Sequence, residues 1–199
     1  MKKITILWFF INCCFTAVYA QQQTDWKGSY AQLQRRENVA MLSLGTWAIG
    51  NIALGSVLTV RSKNEEQKAF QQMNVGWNII NLAIAGVGFY AAQKGIPEGL
   101  ASWDVVEKHY SLQKTFLFNA GLDVGYMAGG AWLIERSKTA TKKQEQMRGF
   151  GKSIILQGGF LFLFDLTQFF IVKSDNPSIK AIFNTVSFSG NALSMTHYF

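Results

Sequence analysis

The stretch that most constrains the fold is an apolar run at 74–92, NVGWNIINLAIAGVGFYAA. As a helix it is long enough to cross the hydrocarbon core of a bilayer. It nevertheless contains three asparagines, Asn74, Asn78 and Asn81, and their i, i+4, i+7 spacing places them on one helical face. An apolar helix with one polar face predicts a membrane bundle with polar residues in its interior.

The first residues of the chain have the pattern of a secretory signal peptide. Lys2 and Lys3 form a basic start, and residues 4–18 are apolar apart from Thr5, Asn12 and Thr16. Small residues at the end of this stretch suit cleavage. We therefore predict a cleaved signal peptide at 1–20 and a mature chain that begins at Gln21.

The two cysteines, Cys13 and Cys14, both lie in this leader. A lipoprotein is one alternative to a simple signal peptide, but Ile11 and Asn12 make a poor lipidation motif before the cysteines. An uncleaved anchor helix is the other alternative. If the leader is removed, the mature chain has no cysteine, which excludes disulfides and thiol-dependent membrane oxidoreductases.

Four apolar runs follow the leader and predict an all-α, polytopic membrane four-helix bundle. The predicted spans are 39–60, 71–92, 115–134 and 149–172. The polar segments 21–38 and 173–199 flank these spans at the two ends of the mature chain. We predict that both lie outside the membrane on the same side.

Two further segments each allow two interpretations. Apolar residues within 100–110 approximate one helical face, which suits either a short amphipathic helix on the membrane surface or a plain extramembrane loop. Residues 179–199 are mildly apolar but rich in Ser and Asn, which are costly in lipid. We therefore favour an interfacial or bundle-capping tail over a weak fifth span.

The distribution of basic residues predicts the orientation of the chain. The turns 61–70 and 135–148 hold eight Lys and Arg in 24 positions, whereas the polar segments on the opposite side hold eight in 67. The positive-inside rule then places both turns in the cytoplasm and both mature termini outside it, in a bacterial inner membrane. The formal charge of +7 is thus explained by topology, and we expect a lipid bilayer rather than nucleic acid as partner.

The chain also matches itself when it is shifted by 75 residues. Positions 50–80 share 12 identities with positions 125–155, where chance would give about two. Both matched turns contain Arg-Ser-Lys, at 61–63 and 136–138, which an apolar composition does not explain. We predict a duplicated two-helix hairpin whose copies are related by a pseudo-two-fold axis along the membrane normal.

Acidic residues well inside the predicted spans occur at Asp123 and Asp165. A charged side chain costs about 2.5–3.5 kcal/mol at the centre of a membrane helix, so each should face the bundle interior. By depth, we expect Asn51, Asn81 and Asp123 to meet near the midplane and Asp165 to lie near Tyr90.

Together these residues define a candidate polar seam or ligand path. Its members are Asp123, Asp165, Asn51, Asn74, Asn78, Asn81 and Asn119. One interpretation is a site for a proton, a cation or a polar ligand, and the other is interhelical hydrogen bonding that fixes helix register. We favour the structural interpretation for the asparagines. Both remain open for the aspartates, because a charge is harder to justify as a structural element.

Gly121, Gly125 and Gly129 repeat every four residues in the third predicted span. Two overlapping GxxxG steps leave one helical face without side chains, which lets a neighbouring helix approach closely. We therefore predict that these three glycines pack against another helix.

Patterns of known catalytic and metal sites are absent from the sequence. His109 and His197 are far apart and lie outside the apolar runs, so they form no metal-ligand cluster. The residues around Asp123 and Asp165 lack the Tyr-Asp and Gly-x-Gly-Asp patterns of presenilin-like intramembrane proteases. We expect a protein without enzyme activity, cofactor or metal.

The leader, the run Trp-Asn-Ile-Ile-Asn-Leu-Ala at 77–83, the two Arg-Ser-Lys turns and the four-span layout together resemble a family of small, uncharacterised bacterial envelope proteins with no assigned function. The resemblance covers most of the mature chain and is most specific at 74–90. It implies a helical inner-membrane protein and provides no catalytic or binding residues to transfer.

Two functional hypotheses follow from these patterns. The first is a non-enzymatic membrane protein that scaffolds or assists a membrane partner through its glycine-rich faces. The alternative is a small oligomeric transporter or channel subunit with a polar intramembrane path. The partner in either case is a second copy of the chain or another membrane protein.

Overall fold

The structure is a computed structural model that describes residues 25–174 and two short strands near the C terminus. Its elements are α1 (Trp26–Val60), α2 (Glu65–Ala92), α3 (Ser102–Ser137), α4 (Gln144–Ser174), β1 (Val186–Ser189) and β2 (Ala192–Met195). The predicted signal peptide at 1–20 lies outside the described residues, as does most of the tail at 173–199. The described part of the chain is a helical bundle, as the sequence predicts.

The first two helices begin at polar residues that cap them. Asp25 Oδ1 accepts a hydrogen bond from the backbone N–H of Gly28 at 2.8 Å, and Asn64 Oδ1 accepts one from Gln67 at 2.8 Å. Each bond satisfies an N–H group that has no partner within the helix itself. Asn64 thereby ends the short charged turn after α1 and starts α2.

Helices α1 and α3 are longer than the predicted spans. At 35 and 36 residues they extend over roughly 50 Å, whereas the hydrocarbon core is about 30 Å thick. Residues 26–38, predicted as a separate polar segment, continue α1, since Arg and Glu are good helix formers. Residues 102–114 form the first turns of α3, so the plain loop is wrong, and the helix predicted there is the start of a much longer one.

The four helices form two successive antiparallel hairpins, α1–α2 and α3–α4, which meet through α2 and α4. We call the end that holds the connections at 61–64 and 138–143 the turn end. The opposite end, where α1 and α3 begin and α2 and α4 finish, is the head end. Contact between α1 and α3 is confined to the head end, where their extensions run past the other helices.

An apolar cluster joins these extensions at the head end. Leu33 of α1, Val105 and Phe116 of α3, and Val172 of α4 are all buried in it. Side chains of this size stabilise a fold by roughly 1.5–3 kcal/mol each when they are fully removed from water. This burial explains why α1 and α3 continue as helices beyond the predicted spans.

Close helix contacts in the bundle depend on glycine. A Cβ atom on Gly130 would lie 2.7 Å from the carbonyl oxygen of Gly151, and a Cβ on Gly151 would lie 2.6 Å from that of Gly130. A Cβ on Gly149 would lie 2.2 Å from the carbonyl oxygen of Glu66. The absence of side chains at these positions lets α4 approach both α3 and α2 backbone to backbone.

Large apolar side chains cover the outside of the bundle. Among them are Val39, Ile80, Val87 and Leu163, whose exposed fractions are between 60% and 72%. Helices α1, α2 and α4 are long and apolar enough to cross a membrane. Helix α3 is long enough but is less apolar, and it is not among these three.

The tail departs from the all-helical prediction. Strands β1 and β2 pair antiparallel, with Val186 opposite Met195 and Ser189 opposite Ala192. The sequence VSFS alternates apolar and polar residues, a period of two that is typical of strands, whereas ALSM does not alternate strictly. The sequence therefore contained a strand signal for β1 only.

Candidate functional site

Three asparagines form a ladder along the buried face of α2. Asn74, Asn78 and Asn81 are between 0% and 5% exposed, on the face that their spacing predicts. Asn78 Nδ2 donates to the backbone oxygen of Asn74 at 2.8 Å and to its side-chain oxygen at 3.3 Å. Asn81 Nδ2 donates to Asn78 Oδ1 at 3.4 Å. Hydrogen bonds thus link the three asparagine side chains over more than one turn of the helix.

Gln157 connects this ladder to two other helices. Its Nε2 donates to Asn74 Oδ1, which joins α4 to α2, and its Oε1 accepts from Trp47 Nε1 of α1 at 3.2 Å. Gln157 is fully buried, and the ring of Trp47 stacks on Phe160 with the centroids 3.7 Å apart. We call Trp47, Gln157, Asn74, Asn78 and Asn81 the amide network. It ties three helices together by hydrogen bonds that have no water to compete with them.

The second polar group in the interior is a pair of carboxyl groups. Asp123 of α3 and Asp165 of α4 are only 2% and 5% exposed, and their carboxyl groups lie within hydrogen-bonding reach of each other. The side chain of Asn119, one turn before Asp123, also hydrogen-bonds to Asp165. Asp123 Oδ2 is buried with no hydrogen-bond partner among the described residues. We call Asp123 and Asp165 the carboxyl pair.

The pair forms because the two helices are antiparallel. The turn of α3 that contains Asp123 faces Gly158, since a Cβ there would lie 3.1 Å from the Asp123 carbonyl oxygen. Asp165 lies seven residues beyond Gly158, about 10 Å nearer the head end. Side chains of a helix lean toward its N terminus, so Asp123 leans toward the head end and Asp165 toward the turn end. The two carboxyl groups therefore meet between their levels.

An apolar cluster lies beside the two polar groups. Leu44 of α1, Ala85 of α2 and Leu161 of α4 are buried against one another. On each of these helices the cluster follows the amide network, counted from the turn end, and on α4 it precedes Asp165. Along α4, Leu161 thus lies between Gln157 of the amide network and Asp165 of the carboxyl pair.

One member of the predicted seam and one predicted neighbour of Asp165 lie elsewhere. Asn51 is only partly buried and donates to the backbone oxygen of Trp47 in its own helix at 2.9 Å, so it does not meet Asn81 or Asp123. Tyr90 is 73% exposed and does not line the interior beside Asp165. The depth estimate failed because it gave the level of each residue but not the rotation of its helix.

The predicted packing glycines face away from the other three helices that the structure describes. A Cβ on Gly121, Gly125 or Gly129 would meet nothing within 4 Å, whereas the adjacent Gly130 faces Gly151. The structure therefore corrects the prediction for contacts inside this chain. Helix α3 is rotated so that its contact with α4 uses Gly130, and the three other glycines form an open face.

The comparison with known families covers most of the bundle. A family described as "Family of unknown function (DUF6992)" matches residues 43–166, which is more than half of the chain. The chain belongs to this family. No curated protein and no solved structure matches the chain. The resemblance to an uncharacterised family, inferred from the sequence, is thereby confirmed.

The part of the chain that matches DUF6992 contains the complete amide network and the carboxyl pair. It begins within α1 at residue 43 and ends within α4 at residue 166, one residue after Asp165. Most of the head-end extension of α1 lies before the match. The matched region therefore covers the part of the bundle that holds the polar interior.

A cluster of charges lies at the turn end of the DUF6992 region. Glu66 of α2 pairs with two basic residues of α4, at 2.5 Å to Lys152 Nζ and 3.4 Å to Arg148 Nη1. The hydrogen bond from Lys152 is the main effect on the pKa of Glu66, which is held below its ordinary value despite the opposing effect of burial. Lys152 thereby connects α4 to α2 through an ion pair.

A second ion pair lies at the head end, mostly outside the DUF6992 region. Lys108 Nζ of α3 lies 2.6 Å from Glu37 Oε2 of α1 and 5.3 Å from the ring centre of Tyr30. Both charged side chains are about one-fifth exposed. His109, the next residue of α3, is fully buried. The charges within the two head-end extensions thus hold α1 and α3 together.

Sequence reasoning missed several buried polar residues of DUF6992 helix α4. Ser153 and Gln157 are fully buried, and Ser153 Oγ has no hydrogen-bond partner among the described residues. With Leu161 and Asp165 they follow a spacing of four residues, which places all of them on one helical face. This spacing was a signal that could have located the interior face of α4. No group of three or more His, Cys, Asp or Glu that could hold a metal occurs among the residues the structure describes.

Proposed function

We propose that the chain is a non-enzymatic, four-span protein of the bacterial inner membrane that scaffolds or assists a membrane partner. The partner's helix would pack along the open face of α3 formed by Gly121, Gly125 and Gly129, which we call the glycine face. The observation that carries this proposal is that these glycines, spaced for helix contact, contact no other helix among the residues that the structure describes.

The distribution of apolar residues supports insertion of all four helices. Helix α3 has low overall hydropathy because its central part includes Asn119, Asp123 and several glycines. Nevertheless it presents exposed apolar side chains on the outside, among them Phe118 at 67% and Trp132 at 65%. It also packs along α4, which is apolar enough to span a membrane alone. A partner helix on the glycine face would reduce the lipid contact of this least apolar helix.

The hydrogen bonding and packing inside the bundle favour scaffolding over transport. The side chains of the amide network hydrogen-bond to one another, and Leu161 lies between Gln157 and Asp165 along α4. A continuous polar path along this face of α4 would require Leu161 to move aside. The burial of both carboxyl groups likewise denies a substrate access to them, which supports a protein without enzyme activity.

A small oligomeric transporter or channel subunit remains the second candidate function, and one observation favours it. The carboxyl pair places two acidic groups side by side inside the bundle, where a purely structural contact has no need of charge. Transport would require solute or ion flux that depends on Asp123 and Asp165. Flux measured in proteoliposomes of the wild type and of Asp165→Asn therefore separates this candidate from scaffolding.

The duplicated hairpin is also a proposal, and two equivalent positions support it. The shift of 75 residues relates Gly55 to Gly130 and Asn78 to Ser153. Gly55 approaches α2 in the first hairpin as Gly130 approaches α4 in the second, and Asn78 and Ser153 are both fully buried. Equivalent burial is what two copies of one hairpin would retain after their sequences diverged.

The partner proposal is tested by site-specific photocrosslinking in intact membranes. A photoreactive amino acid would replace Gly125, with Gly86 of α2 as the matched control. Both glycines have nothing within 4 Å, but Gly86 does not belong to a repeat of glycines every four residues. We expect a discrete adduct from position 125 and none from position 86. An adduct of twice the chain's mass identifies a second copy, and any other discrete mass identifies a different membrane protein.

The same experiment has outcomes that contradict the proposal. Equal adducts from both positions would indicate unspecific contact in the membrane. Adducts of position 125 with lipid alone would indicate that the glycine face has no protein partner. Gly121 and Gly129 provide two further positions on the same face, so a failure of one photoreactive variant to insert does not prevent the test.

A further inference from the structure

The carboxyl pair requires a proton. A carboxylate has only acceptor atoms, so a hydrogen bond between Asp123 and Asp165 exists only when one of the two groups carries hydrogen. Two ionised carboxylates in contact would also repel each other strongly in surroundings of low polarity. A single proton held between the two groups would remove this repulsion and supply the donor that the contact lacks.

The surroundings supply no cation that could replace this proton. The groups that act on the two carboxyls among the described residues are the pair itself and Asn119. On α3, the nearest titratable group along the helix is Tyr126, whose ring packs edge-on against Trp77 of α2.

The charged groups of the other elements lie farther along the bundle. From α1, Arg36 donates to the carbonyl oxygen of Ile171 at 3.3 Å, six residues and about 9 Å beyond Asp165. On α4, Lys173 lies over the ring of Phe169. Tyr90 of α2 is turned outward, and Lys108 of α3 is paired with Glu37 of α1. Charge within the pair would thus be uncompensated, which is costly in a buried site.

We propose that Asp123 and Asp165 form a proton-binding site inside the bundle, which holds a single proton between its two carboxyl groups at neutral pH. The ligand is the proton itself. Asp123 Oδ2, which is buried and has no hydrogen-bond partner among the described residues, is an acceptor that no donor of the fold serves. This inference is independent of the partner proposed for the glycine face.

Release of the proton would change the packing of the bundle. The O–H bond of the acid breaks, the proton passes to water, and two carboxylates remain in contact. Their repulsion and the need of each oxygen for a donor favour separation of α3 from α4 or entry of water between them. The site therefore links the protonation of Asp123 and Asp165 to the closure of the second hairpin.

Infrared spectroscopy of the intact protein in lipid nanodiscs tests this site. The C=O vibration of a protonated carboxyl group is distinct from that of a carboxylate and shifts in heavy water. At neutral pH we expect a band equivalent to one protonated carboxyl group per chain, which moves when aspartate is labelled with carbon-13. We expect Glu66→Gln, which removes a paired and ionised carboxylate, to leave the band unchanged. The combined variant Asp123→Asn and Asp165→Asn should lack it.

The outcomes that overturn the site are equally specific. A wild-type spectrum without this band at neutral pH would mean that both groups are ionised. A band with the intensity of two protonated carboxyl groups per chain would mean that each group carries its own proton and that none is shared. A band that does not shift when aspartate is labelled with carbon-13, or that persists in the combined variant, would belong to other residues. The labelled wild type decides the matter even where the combined variant does not fold.

Discussion

Glu66 and Lys152 lie 2.5 Å apart across the turn end of the bundle and connect α2 to α4 at the level where the backbones come closest. Gly149 faces the carbonyl oxygen of Glu66 itself, so the ion pair and the backbone contact reinforce each other. Arg148 adds a second, longer contact at 3.4 Å. The two hairpins are thus joined by charge at the turn end and by the amide network deeper in the bundle.

We expect Glu66→Gln to destabilise the bundle at neutral pH by about 0.5–1 kcal/mol, because Lys152 is more than half exposed and water screens the pair. The folded-state pKa of Glu66 lies below its ordinary value of 4.5. The ion pair therefore stabilises the fold above that value and ceases to do so as the pH falls through the lowered folded-state pKa. Unfolding in detergent at a series of pH values should show the two proteins converge in acid.

Glu65→Gln is the matched control for this prediction. Glu65 precedes Glu66 in the same helical turn but is 71% exposed, and its partner Lys68 lies on its own helix at 3.8 Å. We expect a change within about 0.5 kcal/mol for this variant. A difference between wild type and Glu66→Gln that stays constant down to strongly acidic pH would contradict the role of the carboxylate.

Adjacent glycines of α3 should respond in opposite ways to alanine. Gly130→Ala introduces a Cβ 2.7 Å from the carbonyl oxygen of Gly151, and we expect a loss of about 1–3 kcal/mol from this overpacking. Gly129→Ala meets open space, and we expect it to be neutral or to stabilise the isolated chain by up to about 1 kcal/mol. The measurement is unfolding in detergent at concentrations where the chain is monomeric. Equal effects at both positions would mean that α3 is rotated differently.

How far the sequence predicts this fold is clear from α2 and α3. Asn74, Asn78 and Asn81 could be placed on one buried face because helical periodicity is a local property of the chain. The pairing of Asp123 with Asp165 could not, since it depends on the register between two helices, which no local pattern specifies.

The glycines of α3 illustrate a second limit. The repeat of Gly121, Gly125 and Gly129 was the stronger motif, yet Gly130 makes the contact with Gly151. A motif identifies a face suited to packing but does not name which neighbour occupies it. The continuation of α1 through Arg35 and Arg36 was missed for a related reason, because burial of the extension against α3 is a tertiary effect.

Gln157 should be the most sensitive residue of the amide network. Gln157→Leu keeps a similar volume but leaves Asn74 Oδ1 and Trp47 Nε1 without this partner. Hydrogen bonds between membrane helices are worth about 0.6 kcal/mol on average and up to about 1.7. Because two such bonds are lost, we expect a loss of roughly 1–3 kcal/mol, with a change in the fluorescence of Trp47.

The control for Gln157 is Asn51→Leu. Asn51 also carries an amide, but its hydrogen bond goes to the backbone of its own helix at 2.9 Å. We expect this variant to change stability by less than about 0.5 kcal/mol, since no interhelical bond is lost. If Asn51→Leu were as destabilising as Gln157→Leu, the network would not be the source of the effect.

The orientation of the bundle can be tested with reporter fusions at its connections. Ser62 and Thr139 lie at the turn end, where basic residues are concentrated, and Ser102 begins α3 at the head end. The positive-inside rule predicts cytoplasmic signals after Ser62 and Thr139 and an extracytoplasmic signal after Ser102. A cytoplasmic signal after Ser102 would mean that α2 does not cross the membrane. Opposite signals after Ser102 and Thr139 are the specific requirement for α3 to span it, although α3 is the least apolar of the four helices.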